Sequence, residues 1–448
     1  MGPSMLFGTD GARGVANEEL TIDVAMAIGR AAAEYLPSGA RVVLGRDTRV
    51  SSPMLEAALT AGLTARGVDV FLAGIVPTPA LSFLIRHYRA DAGVMISASH
   101  NPPEYNGIKL LDGQGRKWEP EQERLLEEVM TRTEWSYTRH VGQVWHHEGI
   151  AVEAYRRYLL GIFAGRIPPL SIVMDVAHGA ATETAPAVLQ QLGAKVMVLH
   201  AEPLGERINQ GSGATHPDVL RQHVLAQGAD LGLSFDGDAD RVIAVDGQGR
   251  IVDGDEILYT LGTGLHMRGQ LPHNLVVATV MSNLGLEQAL DRQGIRLMRT
   301  PVGDRWVAKA MAEHGATLGG EQSGHIIIKQ WTETGDGLLT GLELLAELDR
   351  RDMTLAEAVA PVERFPQVLH NVRLPAPLTG PWQRIPGLSA LVEEATRDLG
   401  DQGRVLIRPS GTEPLLRIML EGRDVDQIEA WAHRLTTVVR DALESAKA

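Results

Sequence analysis

Gly93-Val94-Met95-Ile96-Ser97-Ala98-Ser99-His100-Asn101-Pro102 decides how this chain is read. Its first half is a short apolar run. Its second half is two serines, a histidine and a proline-containing turn, the form of a strand that delivers a hydroxyl to a loop. A Ser-Ala-Ser step alone often does no more than tie down backbone amides. It gains weight because the same grammar occurs twice more. Ala229-Asp230-Leu231-Gly232 enters Phe235-Asp236-Gly237-Asp238-Ala239-Asp240-Arg241, and Gly315-Ala316-Thr317-Leu318-Gly319 enters Gly320-Glu321-Gln322-Ser323-Gly324-His325.

Upstream of each loop the chain alternates strand and helix. Ile22 to Tyr35 has helical spacing, Arg41 to Gly45 reads as a buried strand, Pro53 to Arg66 as a helix and Gly67 to Leu72 as a strand. Ser171 to Asp175, Thr182 to Leu192, Gly193 to Val198 and a helix from Pro217 repeat the order. So do Leu275 to Thr279, a helix, Gly294 to Met298 and a helix through Lys309. The repeats are far longer than the roughly 20 to 50 residues of a solenoid unit, so they predict three similar α/β domains with mainly parallel mixed sheets. Ligands of such sheets sit beyond the carboxyl ends of the strands, where all three loops fall. The expected domains are 5–150, 151–252 and 253–365, with a smaller C-terminal α+β domain at 366–448. That last domain opens on a proline-crowded stretch, 366–386, which reads as a linker beside a hinge.

At 448 residues the chain exceeds the roughly 250 to 300 that a single core supports. Its 44% hydrophobic and 22% charged residues are ordinary for a globular protein. Cysteine is absent and no apolar run reaches membrane-spanning length, so a cytoplasmic protein without a membrane partner is expected. A formal net charge of −14 argues against nucleic acid, which needs concentrated Lys and Arg.

The loops carry distinct chemistries. Asp236, Asp238 and Asp240 offer three hard oxygen ligands to a cation such as Mg²⁺, whereas a calcium EF-hand would need glycine where Arg241 stands and glutamate at Gly247. If Ser99 carries a phosphoryl group, the cation would neutralise it, and Lys109 could act as general base or as counter-charge. Arg408-Pro409-Ser410-Gly411-Thr412 has the guanidinium, hydroxyls and free amides of a phosphate cradle. Glu321 and Ser323 suit sugar hydroxyls. His325 could move a proton or cap a strand. The signatures of P-loop kinases, Rossmann dehydrogenases, α/β-hydrolases and zincins are missing.

With Ser99-His100-Asn101-Pro102, Asp236 to Arg241, Gly320 to His325 and Arg408 to Pro414 in that order, the chain resembles the α-D-phosphohexomutase superfamily from Phe7 to its C-terminal domain. The resemblance implies a heart-shaped, four-domain enzyme around a central cleft. In it a phosphoserine donates to a sugar monophosphate, and the bisphosphate intermediate turns over and returns its other phosphate. Carried over by motif, Ser99 is the phosphoserine and, with Asp236, Asp238 and Asp240, a ligand of one Mg²⁺. Arg13, Lys109, His100 and His325 join it in the catalytic set. Arg241, Gly303, Glu321 and Ser323 bind the substrate, and Arg408, Ser410, Gly411 and Thr412 hold the non-reacting phosphate.

Gly320 to His325, the opening Phe7-Gly8-Thr9-Asp10-Gly11-Ala12-Arg13-Gly14 and Thr300-Pro301-Val302-Gly303-Asp304-Arg305 look like the branch acting on glucosamine phosphates. That branch interconverts the 6- and 1-phosphates through a hexosamine 1,6-bisphosphate and supplies UDP-N-acetylglucosamine synthesis. The mannose and glucose branch, the alternative, more often has methionine where Gln322 stands, and Ala12 replaces a usual isoleucine. A homodimer is a further expectation, and a metal-dependent phosphatase is the rival from another class.

Overall fold

The computed structural model describes residues 6–8, 10–132, 135, 138–375, 380–409 and 414–445. These divide into two compact units. One runs through Ser282 and resumes from Gln293 to Pro361; the other comprises Asn283–Arg292 and the residues from Val362 onward.

The first unit holds three sheets. The first has β1 (Phe7–Gly8), β2 (Gly11–Val15), β3 (Arg41–Arg46), β4 (Asp69–Ile75), β5 (Ala92–Ile96), β6 (Tyr105–Asp112) and β7 (Val144–His146) in the order β1-β2-β6-β5-β3-β4-β7. The second orders β8 (Ser171–Asp175), β9 (Lys195–Leu199), β10 (Leu231–Phe235), β11 (Val242–Asp246) and β12 (Ile251–Val252) as β12-β11-β10-β8-β9. The third orders β13 (Leu275–Thr279), β14 (Arg296–Thr300), β15 (Leu318–Gly320) and β16 (Ile326–Ile328) as β14-β13-β15-β16.

One plan underlies all three. A parallel triplet (β5-β3-β4, β10-β8-β9, β15-β13-β14) is followed by an antiparallel return strand, β6, β11 or β16, laid against the last strand of the triplet. Each polar loop is the connection between that last strand and its return. Residues Ala92–Ile96, Leu231–Phe235 and Leu275–Thr279 are buried throughout, as near-continuous apolar strands must be when a sheet is covered on both faces. The helix before each last strand ends in a left-handed residue, Arg89 (φ 52°), Gly228 (φ 59°) or Gly315 (φ 67°), which turns the chain back into the sheet.

Helices Gly254–Met267 and Gly337–Arg351 have no counterpart in the sequence reading. Most of their residues are buried, so they lack the one-sided stripe that announces a surface helix. Among the described residues no helix is long and apolar enough to cross a membrane.

The second unit carries the antiparallel sheet β17-β19-β18, with β17 at Gln367–Arg373, β18 at Gly403–Pro409 and β19 at Leu415–Gly422. Leu416, Ile418 and Leu420 pack with Ile428, Leu435 and Val439 of the final helix, Val425–Ser445. The linker reading of 366–386 needs correction, because its first part is strand β17. Val368, His370 and Val372 turn toward the core while Leu369 stands exposed, an alternation hidden by the exchange of a leucine and a histidine. Residues 376–379 of that stretch lie outside the described residues.

Candidate active site

Ser99 sits at the first crossing, between β5 and β6, fully buried and with φ at 52°. A non-glycine residue is disfavoured there, and its backbone is held from three sides. Its N–H donates to Ser97 Oγ at 2.9 Å, while its carbonyl accepts from Arg49 Nη2 at 3.0 Å and from Asn209 Nδ2 at 2.8 Å. So fixed, the Ser99 hydroxyl donates to Asp236 Oδ2 at 2.7 Å, across 137 residues of sequence. The two loops meet backbone to backbone: a Cβ on Gly237 would stand 2.7 Å from the Ser99 carbonyl oxygen, so only glycine fits.

Asp236, Asp238 and Asp240 are all buried, with one carboxylate oxygen from each within 4.8 Å of the others. Lys109 reaches them from β6, 2.8 Å from Asp238, 3.1 Å from Asp10 and 3.9 Å from Asp240, and Thr78 Oγ1 donates to Asp238 at 2.6 Å. Lys109 is 1% exposed, which removes the surface-lysine reading. Burial alone would lower its proton affinity, but Asp10, Asp238 and Asp240 outweigh that and hold it charged. Of its two sequence readings, the counter-charge is the one this environment favours. Burial lifts Asp236 well above the usual carboxylate range, and Asp240 and Asp238 push it further. Asp240, which burial would likewise raise, is drawn far below that range by the Nδ1–H of His325 and by the Lys109 and Arg241 charges.

Beside the triad lies a cavity of about 330 Å³ lined by Arg13, His100, Lys117, Arg241, Gly303, Asp304, Glu321, Ser323 and His325, among others. Arg13 ion-pairs with Asp10 and donates to Asn101 Oδ1 at 2.9 Å. His100 Nδ1 is 3.3 Å from Ser99 Oγ. Burial, reinforced by Arg241 and Arg13, lowers its pKa to about 4, so the ring is neutral at pH 7. The Gly303 N–H donates to Glu321 Oε1 at 3.1 Å, setting that carboxylate at the cavity wall. His325 Nδ1 faces Asp240 at 3.4 Å, and its Nε2 accepts the Gly335 N–H at 3.0 Å with Asp304 3.6 Å away. The Gly335 contact needs a lone pair on Nε2 and so a neutral ring with its proton on Nδ1. Against the effect of burial, Asp240 and Asp304 raise its affinity for a second proton.

The sequence of this chain matches the Phosphoglucomutase/phosphomannomutase alpha/beta/alpha domains I, II and III over residues 4–136, 153–249 and 253–365, and the C-terminal domain over 369–438. The chain belongs to the phosphoglucomutase/phosphomannomutase family. Within it, the chain is 46% identical to the phosphoglucosamine mutase of Thermoanaerobacter pseudethanolicus, over 98% of this chain and 99% of that one. It is similar to the crystal structure of a Phosphoglucomutase/phosphomannomutase family protein from Burkholderia thailandensis, with 26% identity, a TM-score of 0.81 and 99% and 98% of the two chains covered. The N-acetylphosphoglucosamine mutase of Aspergillus fumigatus, solved with GlcNAc-6P and magnesium, shares the fold at 19% identity, with a TM-score of 0.63 and 89% and 82% coverage.

The acidic triad of this family member fits a divalent cation. Asp238 Oδ1 and Asp240 Oδ1 are buried without a hydrogen-bond donor, which leaves hard oxygen lone pairs available to a divalent cation. The wider charge balance agrees. Asp10, Asp236, Asp238, Asp240, Asp304 and Glu321 face Arg13, Lys109, Lys117 and Arg241, an excess of carboxylate that a divalent ion would offset.

Two groups escaped the sequence reading. Lys117 ion-pairs with Asp10 and, at 2.6 Å, with Asp304, tying the first domain to the third. Asp10 and Asp304 both lay inside quoted motifs, but nothing in the run Gly115-Arg116-Lys117-Trp118 marked its lysine. Arg49 is wholly buried and paired with Asp47 at 2.9 Å; a charged pair directly after a buried strand was the signal available. In the second unit, Arg408 of β18 lies opposite Arg417 of β19. Burial and that like charge lower its proton affinity. Ser410, Gly411 and Thr412 lie outside the described residues.

Proposed function

We propose that the chain interconverts glucosamine 6-phosphate and glucosamine 1-phosphate, with Ser99 as the residue that carries the transferred phosphoryl group. The observation that bears most weight is the 2.7 Å hydrogen bond from the Ser99 hydroxyl into a buried triad of carboxylates with Lys109 beside it. In the first transfer the bond from phosphorus to Ser99 Oγ breaks as one to a sugar hydroxyl oxygen forms. The hydroxyl proton passes to a base of the site, and the serine oxygen takes up a proton. The resulting hexosamine 1,6-bisphosphate turns over, and in the second transfer the bond from its other phosphorus to the sugar oxygen breaks as one to Ser99 Oγ forms again, the serine proton passing to a base of the site and the sugar oxygen taking one up.

Asp236, Asp238 and Asp240, with the phosphate on Ser99, would hold Mg²⁺, which supplies charge neutralisation at the phosphoryl oxygens. Lys109 adds a fixed positive charge, and Arg13 and Arg241 present guanidinium donors to anionic oxygens entering the cavity. His100, neutral at pH 7, lies within reach of the serine oxygen. His325, with carboxylates on both sides, is suited to accept a proton. Glu321 and Ser323 suit sugar hydroxyls, and Gly303 sets the Glu321 carboxylate. To Arg408, Ser410, Gly411 and Thr412 the proposal gives the phosphate that is not being transferred. A domain division at 5–150, 151–252, 253–365 and 366–448, a cytoplasmic location and a homodimer complete it; light scattering tests the last.

The deciding experiment compares kcat/KM for glucosamine, glucose and mannose 1-phosphates on protein first charged with a hexose bisphosphate. The proposal requires the glucosamine ester to lead. A lead for mannose or glucose would move the chain to the sister branch, and net release of phosphate with Ser99→Ala still active would make it a phosphatase.

A further inference from the structure

We propose that His370, Glu429 and His433 form a second metal site, for a divalent transition metal of the zinc type, on the C-terminal unit. His370 stands on strand β17, and Glu429 and His433 lie one turn apart on the helix Val425–Ser445. His370 Nε2 is 3.2 Å from Glu429 Oε1, His433 Nε2 is 3.4 Å from the same oxygen, and one donor atom from each side chain lies within 4.8 Å of the others. A tetrahedron with metal–ligand distances of about 2.0–2.1 Å has edges of about 3.3 Å. Two edges of the set therefore already have the spacing such an ion imposes.

The donor set selects the ion. Two imidazoles and one carboxylate suit zinc and its neighbours, whereas Mg²⁺ and Ca²⁺ take shells of oxygen. An outer partner is also in place. His370 Nδ1 is 3.2 Å from Oγ1 of Thr436, a side chain that is 4% exposed. Donation of Nδ1–H to that hydroxyl leaves the lone pair on Nε2, the tautomer a metal ligand requires, and seats the ring as such partners do. The two rings meet edge to face, 4.9 Å apart at 75°.

The bland account is an exposed ion pair between helix neighbours, which contributes little. It covers Glu429 and His433. It does not account for an imidazole from a separate element that brings its nitrogen to the same oxygen while its other nitrogen rests on a buried hydroxyl. His433 is 69% exposed, which leaves water access to a fourth position. An ion here would strap β17 to the final helix, so its binding would add to the stability of this unit.

The test uses the full chain in a large excess of Mg²⁺, to keep zinc from the acidic triad, and measures bound Zn²⁺ by equilibrium dialysis. One zinc per chain is expected in the wild type and in Asp238→Asn. His370→Ala and His433→Ala should each weaken that binding at least ~100-fold, and Thr436→Val by ~10- to 100-fold. Mutase turnover should be unchanged in His433→Ala, an exposed position whose loss leaves the fold intact. Zinc bound equally well by the double variant His370→Ala/His433→Ala, or no zinc in the wild type under these conditions, would overturn the proposal.

Discussion

Asp336 shows how one buried carboxyl ties the site to its supports. Its side chain accepts the Leu339 N–H at 2.9 Å, as the N-cap of helix Gly337–Arg351, and the Tyr155 hydroxyl at 2.7 Å. Burial outweighs those bonds and raises its pKa to about 6. A carboxyl whose native pKa exceeds its unfolded value contributes fully below the unfolded value, and loses that contribution as pH rises through the native one. Asp336→Asn keeps an oxygen for the cap and removes the charge. Urea denaturation should find the variant the more stable protein at pH 7.5, by up to about 3 kcal/mol, with the advantage vanishing toward pH 4. Single residues of this kind were only partly legible in the sequence. Ser99 and the aspartate trio announced themselves because their chemistry is local to one loop. Lys117 and Asp336 act through partners 187 and 181 residues away, and only the fold pairs them.

The decisive element is the crossing between each parallel triplet and its return strand. The first crossing is pinned by Arg49, which donates to Asp47 at 2.9 Å and to the carbonyls of Ser99, Asn101, Pro102 and Tyr105. One planar guanidinium thus fixes the loop that presents the serine. Arg49→Met would take the guanidinium from those carbonyls and leave the Asp47 carboxylate buried without its cation, at a cost of roughly 3–5 kcal/mol. We expect a lowered urea midpoint together with a fall in kcat that Arg49→Lys does not restore, because a point charge cannot replace the fork. Wild-type turnover in a folded Arg49→Met would refute this. The strands and crossings were readable because buried parallel strands are continuous apolar runs broken by polar loops. Helices Gly254–Met267 and Gly337–Arg351 were not, since a helix buried nearly all round shows no period, and β17 was obscured by the prolines that flank it, Pro366 and Pro375, and by an outward leucine.

For the whole molecule, three repeats of one topology bring loops from distant parts of the chain to a single cavity whose carboxylates outnumber its cations. Without a divalent ion the triad repels itself. The wild type should therefore gain thermal stability on Mg²⁺ addition, by about 2.7 kcal/mol at one hundred times the dissociation constant. Asp236→Asn should lose most of that gain, yet be no less stable than the wild type in chelator. Scanning calorimetry with and without Mg²⁺ measures both, and an equal Mg²⁺ response in the variant would remove the triad as its source. The most direct test of the account follows an isotopic label placed in the phosphate on Ser99. On mixing with glucosamine 1-phosphate, the label should leave Ser99 and appear first in a sugar bisphosphate and then in glucosamine 6-phosphate, as fast as turnover, and Ser99→Ala should fall on the order of 10⁴-fold or more. A label that stays on Ser99 while product forms, or that emerges only as free phosphate, would contradict it.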